Sequence, residues 1–539
     1  SFSFQVGTAT GDKNQISVSL GAMSASALGL GGNAALGSGS SSSGSSSSAG
    51  TIKKITSDFV VNQTTAGTQG APDVTALANG NFVVVWQAHD QNGASKYNVY
   101  GRIVSAEGTA ISDDFKVNST TSGTSSGHAL PEVVDLGDGK FGVVWQSERP
   151  STTKQSVYGR VFAYSGASQT SDFLVSQGGS SGAEYHQGVA STSNGNIFAV
   201  HTDYNGHREV YAQIHKADGS KHIANINLSA GESGDQEFPR ITTLSDGRLL
   251  SIWRDIQTPW NFEGKILDDD GNTVETFSSL LTYDTDNGGN RKEFNIASLP
   301  DGGFAITHQE IGSSGNHDVY LTIFNSDGSQ RKAKQTLHQN STGDQIQPNL
   351  AVLSNGNIVT GWHSLVDGNG SNSSETDIYT AMFSSAGKAL TATEKLNSEV
   401  NYNVSNVDLT VSSADQILAS WESTSGAETS TEVHANIFTT ATSDSGPSIN
   451  SASNAITAIK AIDTAIKTVN TQRSELGAIS NRLSHTVNNL TNISSNLSAA
   501  KGGIEDANFA HETSNLAKNQ ILQQASTAML AQANASKQN

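Results

Sequence analysis

The chain has no cysteine among its 539 residues, so neither a disulfide nor a thiolate metal or redox site is open to it. Long apolar runs are missing as well: no segment reaches the roughly 18 apolar residues that a membrane-spanning helix needs. The opening SFSFQVG has neither a basic stretch nor a continuous apolar core, and reads as no secretory signal. Positive charge is scarce, with 31 Lys and Arg against 50 Asp and Glu, a net charge of −19. The deficit sits in the middle of the chain. Residues 1–50 hold only Asp12 and Lys13, the stretch from Pro447 onward sums to +2, and residues 51–446 carry about −21. An acidic middle favours solubility and disfavours nucleic acid and anionic membranes as partners. It reads as a solvated surface rather than as metal sites. A chain this long exceeds one ordinary core, so two or more domains are expected.

What is present is first a repeat. A short β-rich run ends in Trp or His at Trp86, Trp145, His201, Trp253, His308, Trp362 and Trp421, every 52 to 59 residues. Each run follows a turn signal, from Asn79-Gly80 through Asn355-Gly356 to a degenerate Ala414-Asp415. Beyond each run comes a further strand: Tyr100-Gly-Arg-Ile, Tyr158-Gly-Arg-Val, Tyr211-Ala-Gln-Ile, Phe262-Glu-Gly-Lys-Ile, Tyr320-Leu-Thr-Ile, Tyr379-Thr-Ala-Met and His434-Ala-Asn-Ile. Seven units of this length, each with about four strands, fit the blades of a β-propeller. Two stacked β-sandwiches are the alternative, and the short repeats of a β-helix fit less well. Closure of the ring is expected to pair strands from both ends of the repeat region. Ahead of it, Gly37 to Gly50 is a Ser/Gly linker.

The second feature is an apolar seam. Residues recur three and four apart at Ile459, Ile462, Ile466, Val469, Leu476, Ile479, Leu483, Val487, Leu490, Ile493 and Leu497. Such a seam needs other helices to cover it. Gly502-Gly503 is expected to break the helix. A smaller-residue amphipathic helix should follow, with Phe509, Leu516, Ile521, Leu522 and Met529 as its large packing positions.

The spelling of this segment carries more than periodicity. Ala461-Ile462-Asp463, Arg473-Ser474-Glu475-Leu476-Gly477-Ala478, Asn481-Arg482-Leu483 and the run Gln520 to Asn534 (QILQQASTAMLAQAN) together resemble the carboxyl-terminal region of bacterial flagellin. Phe4-Gln5-Val6-Gly7, Gln15 to Leu20 and Ser24 to Gly29 resemble the β-hairpin region of the same family. Residue 1 already falls in that hairpin-like stretch, so the family's long amino-terminal helices are not among these residues. Gly502-Gly503 stand where flagellins usually have Ser-Arg.

The repeat and the resemblance together lead us to expect an α+β multidomain chain, with a seven-bladed β-propeller inserted between a β-hairpin segment and long coiled-coil-type α-helices. The expected divisions are 1–36 (hairpin), 37–50 (linker), 51–446 (propeller), 447–501 (long helix) and 502–539 (terminal helix). The implied function is that of a structural, extracellular subunit of the flagellar filament, polymerising through its helices and displaying the propeller outside. The implied partners are other flagellin subunits, with export and cap components. A surface adhesion or glycan-binding module carried on that scaffold is the alternative, and a polysaccharide-active enzyme a weaker one.

Candidate chemical sites fail on spacing. His511-Glu512 begins a zinc-helix motif but lacks its second histidine. The acidic runs 268–271 and 284–288 lack the ligand spacing of a calcium loop and read as turns. No phosphate loop or nucleophile elbow occurs. Neither cofactor, metal nor catalytic residue is assigned, and His201 and His308 read as packing residues at the Trp position. Two or three carboxylates with a Tyr or Arg at the channel mouth would favour an enzyme. Exposed aromatics there would favour sugar binding, and a plain polar surface structure alone.

Overall fold

The computed structural model describes residues 2–5, 15–18, 51–441 and 452–536, apart from the stretches 90–96, 120–126, 149–154, 177–182, 205, 258–259, 283–293, 312–314, 339–342, 366–375, 399–401 and 426–429. The expected linker and the acidic run 284–288 therefore lie outside the described residues. The chain divides into two compact units, residues 36–445 and residues 1–35 with 446–539.

The first unit is a seven-bladed β-propeller. Each blade is an antiparallel sheet, and in six of them the strands follow chain order, so that neighbours are joined by hairpins. The apolar run of each repeat forms the second strand, as in Phe82–His89, Lys140–Glu148 and Ile197–Tyr204. Six blades are complete in themselves. The seventh borrows its outer strand from the start of the repeat region: Thr51–Lys54 pairs with the end of Thr431–Ala441, and Phe59–Val60 pairs with His434 and Ala435. Strands from both ends of the region thus close the ring, as the sequence leads one to expect.

The turn signals behave as their chemistry requires. In the first blade Gly80 adopts φ 86° and its N–H reaches the Leu77 carbonyl at 2.9 Å. A side chain at that φ would be strained. The degenerate seventh turn keeps the same bond with Asp415 at φ 56°, a conformation Asp tolerates better than most residues.

Seven apolar clusters hold the ring, one at each junction between neighbouring blades. Trp86 packs with Leu418 and Val433 of the last blade, and Trp145 with Val83 and Val85 of the first. No blade has a core of its own, which is why the units repeat until they close. Polar links reinforce the junctions. Arg160 donates to the carbonyls of Val117 and Thr170, both at 2.9 Å, and Arg102 repeats this with Val61 and Ser112.

In the second unit, Phe2–Gln5 pairs antiparallel with Gln15–Val18. A single α-helix then runs from Ala452–Ala535, about 125 Å at 1.5 Å per residue. Two expectations are corrected here. The helix passes through Gly502 and Gly503 without a break, so the division at 501 falls inside one element. Each glycine costs a helix only about 1 kcal/mol relative to alanine, and long flanks such as Ala499-Ala500 propagate across it. Among the described residues there is accordingly one helix where more than one is expected. No described helix is long and apolar enough to cross a membrane.

Candidate functional site

The seven Trp and His positions of the repeat are fully buried on the second strands. In five blades the ring faces a Tyr on the third strand, at centroid separations of 5.7 to 6.5 Å. In the seventh blade Trp421 faces His434. The fourth blade differs from the sequence alignment: the residue across from Trp253 is Glu263, not Phe262. Phe262 instead packs on Phe294 of the next blade at 4.6 Å. Burial, the neighbouring Glu232 and Asp255 together push the Glu263 carboxyl up to about 8.

On the other side of the Trp or His, the first strand carries a bulge. In six blades two residues of the first strand oppose this one residue, as Ala71 and Pro72 oppose Trp86. The first bulged residue takes a left-handed φ at Ala71, Leu130, Phe238, Gln347 and Asn406. Pro follows at Pro72, Pro131, Pro239 and Pro348, a position where a missing N–H is tolerated. Bulges re-aim the next side chain. The next residues are Asp73, Glu132, Arg240, Asn349 and Asp408, and all of them line one cavity of about 230 Å³ walled by the first strands of all seven blades.

This is the axial channel, and its polar groups are interlinked. Asp408 accepts from Val74 N at 2.9 Å and from Asn349 Nδ2 at 2.5 Å. Asp73 accepts from Val133 N at 2.7 Å. Arg240 bridges to Glu132 at 3.0 Å across an intervening blade. Burial first, then the charges of Asp408 and Glu132, raise the Asp73 carboxyl well above the ordinary carboxylate range. Asp73 therefore tends to hold its proton.

Sequence reading missed this ring. The signal was P-D-V, P-E-V, P-R-I and P-N-L at residues 72–74, 131–133, 239–241 and 348–350, half of the chain's 8 prolines. Three carboxylates with an arginine meet the pattern reserved for an enzyme, yet Asp73 and Asp408 hold backbone N–H groups of adjacent blades and Glu132 is tied to Arg240. Their bonds account for them as staples between blades. Among the described residues no three His, Asp or Glu stand together as metal ligands. His511 pairs with Asn515 one helical turn on, at 3.0 Å. Asp268 caps the N–H groups of Asp270 and Asn272 in a turn.

On the long helix, Ile466, Val487, Leu490, Leu497, Phe509, Leu516, Ile521, Leu522 and Met529 are 42 to 78 % exposed. Leu483 is half-buried. At 100° per residue, Leu483, Val487, Leu490 and Leu497 share one face. The side chains of Ile459, Ile462, Val469 and Leu476 lie outside the described residues.

Comparison with known proteins places the two units differently. Several solved structures are similar to the chain at low identity, with TM-scores below 0.5. One is a protein of unknown function from Dyadobacter fermentans (12 % identity, covering 72 % of this chain and 99 % of that one, TM-score 0.44). A second is a sialidase from Streptococcus pneumoniae (12 % identity, 71 % and 70 %, TM-score 0.40). A third is an intramolecular trans-sialidase from Ruminococcus gnavus (11 % identity, 74 % and 98 %, TM-score 0.42). Likenesses this loose say nothing about function. No curated protein sequence matches the chain. Residues 459–539 match the model of the bacterial flagellin C-terminal helical region, and the described residues between 51 and 441 form a seven-bladed β-propeller.

Proposed function

We propose that the protein is a structural subunit of a bacterial flagellar filament, polymerising through its helix with other flagellin subunits and carrying the propeller on the filament surface. The carrying observation is the conjunction of the flagellin C-terminal match with a helix whose large apolar side chains are exposed. A stripe of that length exceeds what a monomer keeps in water and asks for cover from other helices. Coiled-coil packing and an extracellular location follow from the same reading. No enzymatic step is required by it. Display of the propeller for adhesion to a surface glycan is the second reading, and the polar axial channel is the observation that keeps it open.

Leu490 provides the test. It is 42 % exposed, so Leu490→Asp should leave the isolated chain as stable as before. In an assembled seam the same charge would be buried without a partner, at several kcal/mol per contact. The chain, joined to the amino-terminal helices of a flagellin, should yield sedimentable filament, and Leu490→Asp should yield none. Equal filament from both would remove the helix stripe from the assembly.

Exposure of the stripe also predicts uneven protease sensitivity in the monomer. Trypsin should cut at Lys and Arg between residues 452 and 536 within minutes. The propeller should survive at least tenfold longer, because cleavage there requires global opening. Equal rates of loss on a gel would mean that the helix has cover.

A further inference from the structure

The fourth blade departs from its neighbours at the place after the Trp or His. Elsewhere that place holds Gln, Thr, His or Glu. Gln87 and Gln309 use it to accept a backbone N–H of the next blade, from Leu130 at 3.1 Å and Gln347 at 2.9 Å. The fourth blade has Arg254 instead, which cannot accept. Its guanidinium lies against two aromatic rings, 4.3 Å from the centroid of Phe238 and 5.4 Å from that of Trp260. Arg254 and Glu237 are 1 % and 8 % exposed and 2.6 Å apart. A buried ion pair seldom adds net stability, so this one asks for another reason.

The pair is the middle of a longer network. Glu237 also reaches Arg208 of the third blade at 3.4 Å, and Arg208 reaches Asp235 at 3.1 Å. Both ends of the network meet solvent. Arg208 and Asp235 are 34 % and 30 % exposed, and Trp260 is half-buried. Trp260 is the exception among the chain's 6 tryptophans, since those of the repeat are fully buried. Arg208 and Trp260 each stand three residues before the strand partner of His201 or Trp253, so they hold equivalent places in adjacent blades. An aromatic ring is thus set beside an arginine–carboxylate pair, next to Phe238 on the wall of the axial cavity.

We propose that this network is a sugar-binding subsite for a neutral pyranose. The C–H face of the sugar rests on the Trp260 indole. Vicinal hydroxyls accept from Arg208 and donate to Asp235. Contact with Arg254 fixes the indole before the ligand arrives, which lowers the ordering cost of binding. Two arginines and two acids sum to zero, so an ionised sugar finds no charge to offset its desolvation. A purely apolar ligand would cover Trp260 but leave the Arg208–Asp235 pair desolvated with nothing to bond. A pyranose offers both surfaces. The inference rests on the glycan-display reading, whose ligand class and place it names, and is independent of the filament.

The test is calorimetric titration of the full chain with maltotriose, mannotriose, xylotriose and triacetylchitotriose, with sialyllactose and trigalacturonate as acidic counterparts. Saturable binding of at least one neutral trisaccharide, and of neither acidic sugar, is expected. Bound sugar should also shield tryptophan fluorescence from acrylamide, because Trp260 is the indole that solvent reaches. Trp260→Ala and Arg208→Ala should each weaken binding at least roughly tenfold. Trp260→Phe keeps a ring on Arg254, so it should hold the parent's melting temperature and lose less affinity than Trp260→Ala. If Trp260→Ala itself melts lower, Trp260→Phe and Arg208→Ala decide. Unaltered binding in Trp260→Ala or Arg208→Ala, or preference for an acidic sugar, would overturn the inference and leave glycan display standing. Absence of binding by every sugar would remove the inference and glycan display together.

Discussion

Acidifying the protein from pH 6.5 towards 4 should cost the propeller several kcal/mol and unfold it cooperatively. Three histidines are buried, and burial lowers each of them: His201 and His363 to about 4, with His308 moved the same way. Glu184 opposes the shift at His201, and Glu310 opposes it at His308. The folded ring holds these imidazoles neutral, while the unfolded chain takes up protons near 6.5. Their contribution is therefore whole above pH 6.5 and is lost as pH falls through the window down to about 4. A shift of that size is worth up to roughly 3 kcal/mol per histidine, a large part of the stability of about 5–15 kcal/mol typical of folded proteins.

The raised carboxyls act with the opposite sign. The fold prefers Glu263 protonated up to about 8, so its contribution is full below the ordinary Glu range and is lost as pH rises to about 8. Melting temperature plotted against pH should then peak near 6.5 and fall on both sides, more steeply towards acid. His363→Gln isolates one term. Gln87, Gln146 and Gln309 already occupy the same position, after the Trp or His, in other blades. The variant should therefore fold and flatten the acid limb by up to roughly 3 kcal/mol. An acid limb identical to the parent's would show that His363 does not titrate as a buried group.

Deleting residues 51–60 should open the ring. These residues supply the outer strand of the last blade, and Ile52 and Phe59 pack into two of the junction clusters. Asp58 accepts from Ser398 N at 2.6 Å and from Asn436 Nδ2 at 3.1 Å, tying the sixth and seventh blades. Losing two part-buried apolar side chains and these bonds amounts to roughly 3–6 kcal/mol. Thr431–Ala441 would also become an open edge, a template for pairing with another chain. The deletion variant should melt many degrees lower, and should elute from a sizing column as dimers or larger species. A monomer with the parent's melting temperature would mean that the borrowed strand contributes little.

How much of this was legible in the sequence depends on which physical signal each part leaves. The blades announced themselves because a Trp or His must fill each junction, and Asn-Gly or Asp-Gly turns must precede it. The flagellin-like helix was legible in its spelling from Ala461 to Asn534. Its continuity across Gly502-Gly503 was not, because glycine's local cost is small beside the propagation of an 84-residue helix. Glu263 was missed because a hydrophobic pattern placed Phe262 in register, while strand pairing chose its neighbour. The channel residues were hidden for a different reason. Asp73, Glu132, Arg240, Asn349 and Asp408 mix acids, a base and an amide, and what all five share is a place after a bulge. Only the prolines before four of them could have shown that the places are equivalent.

The measurement closest to the central claim is electron cryo-microscopy of filaments grown from the chain joined to flagellin amino-terminal helices. The account predicts a tube whose wall contains residues 452–536, with Leu483, Val487, Leu490 and Leu497 covered by neighbouring helices and a seven-bladed ring outside each subunit. Deleting residues 51–446 should leave the wall and remove only the outer density. Filaments that fail to form without the propeller, or a wall built from propellers with the helix left in solvent, would contradict it.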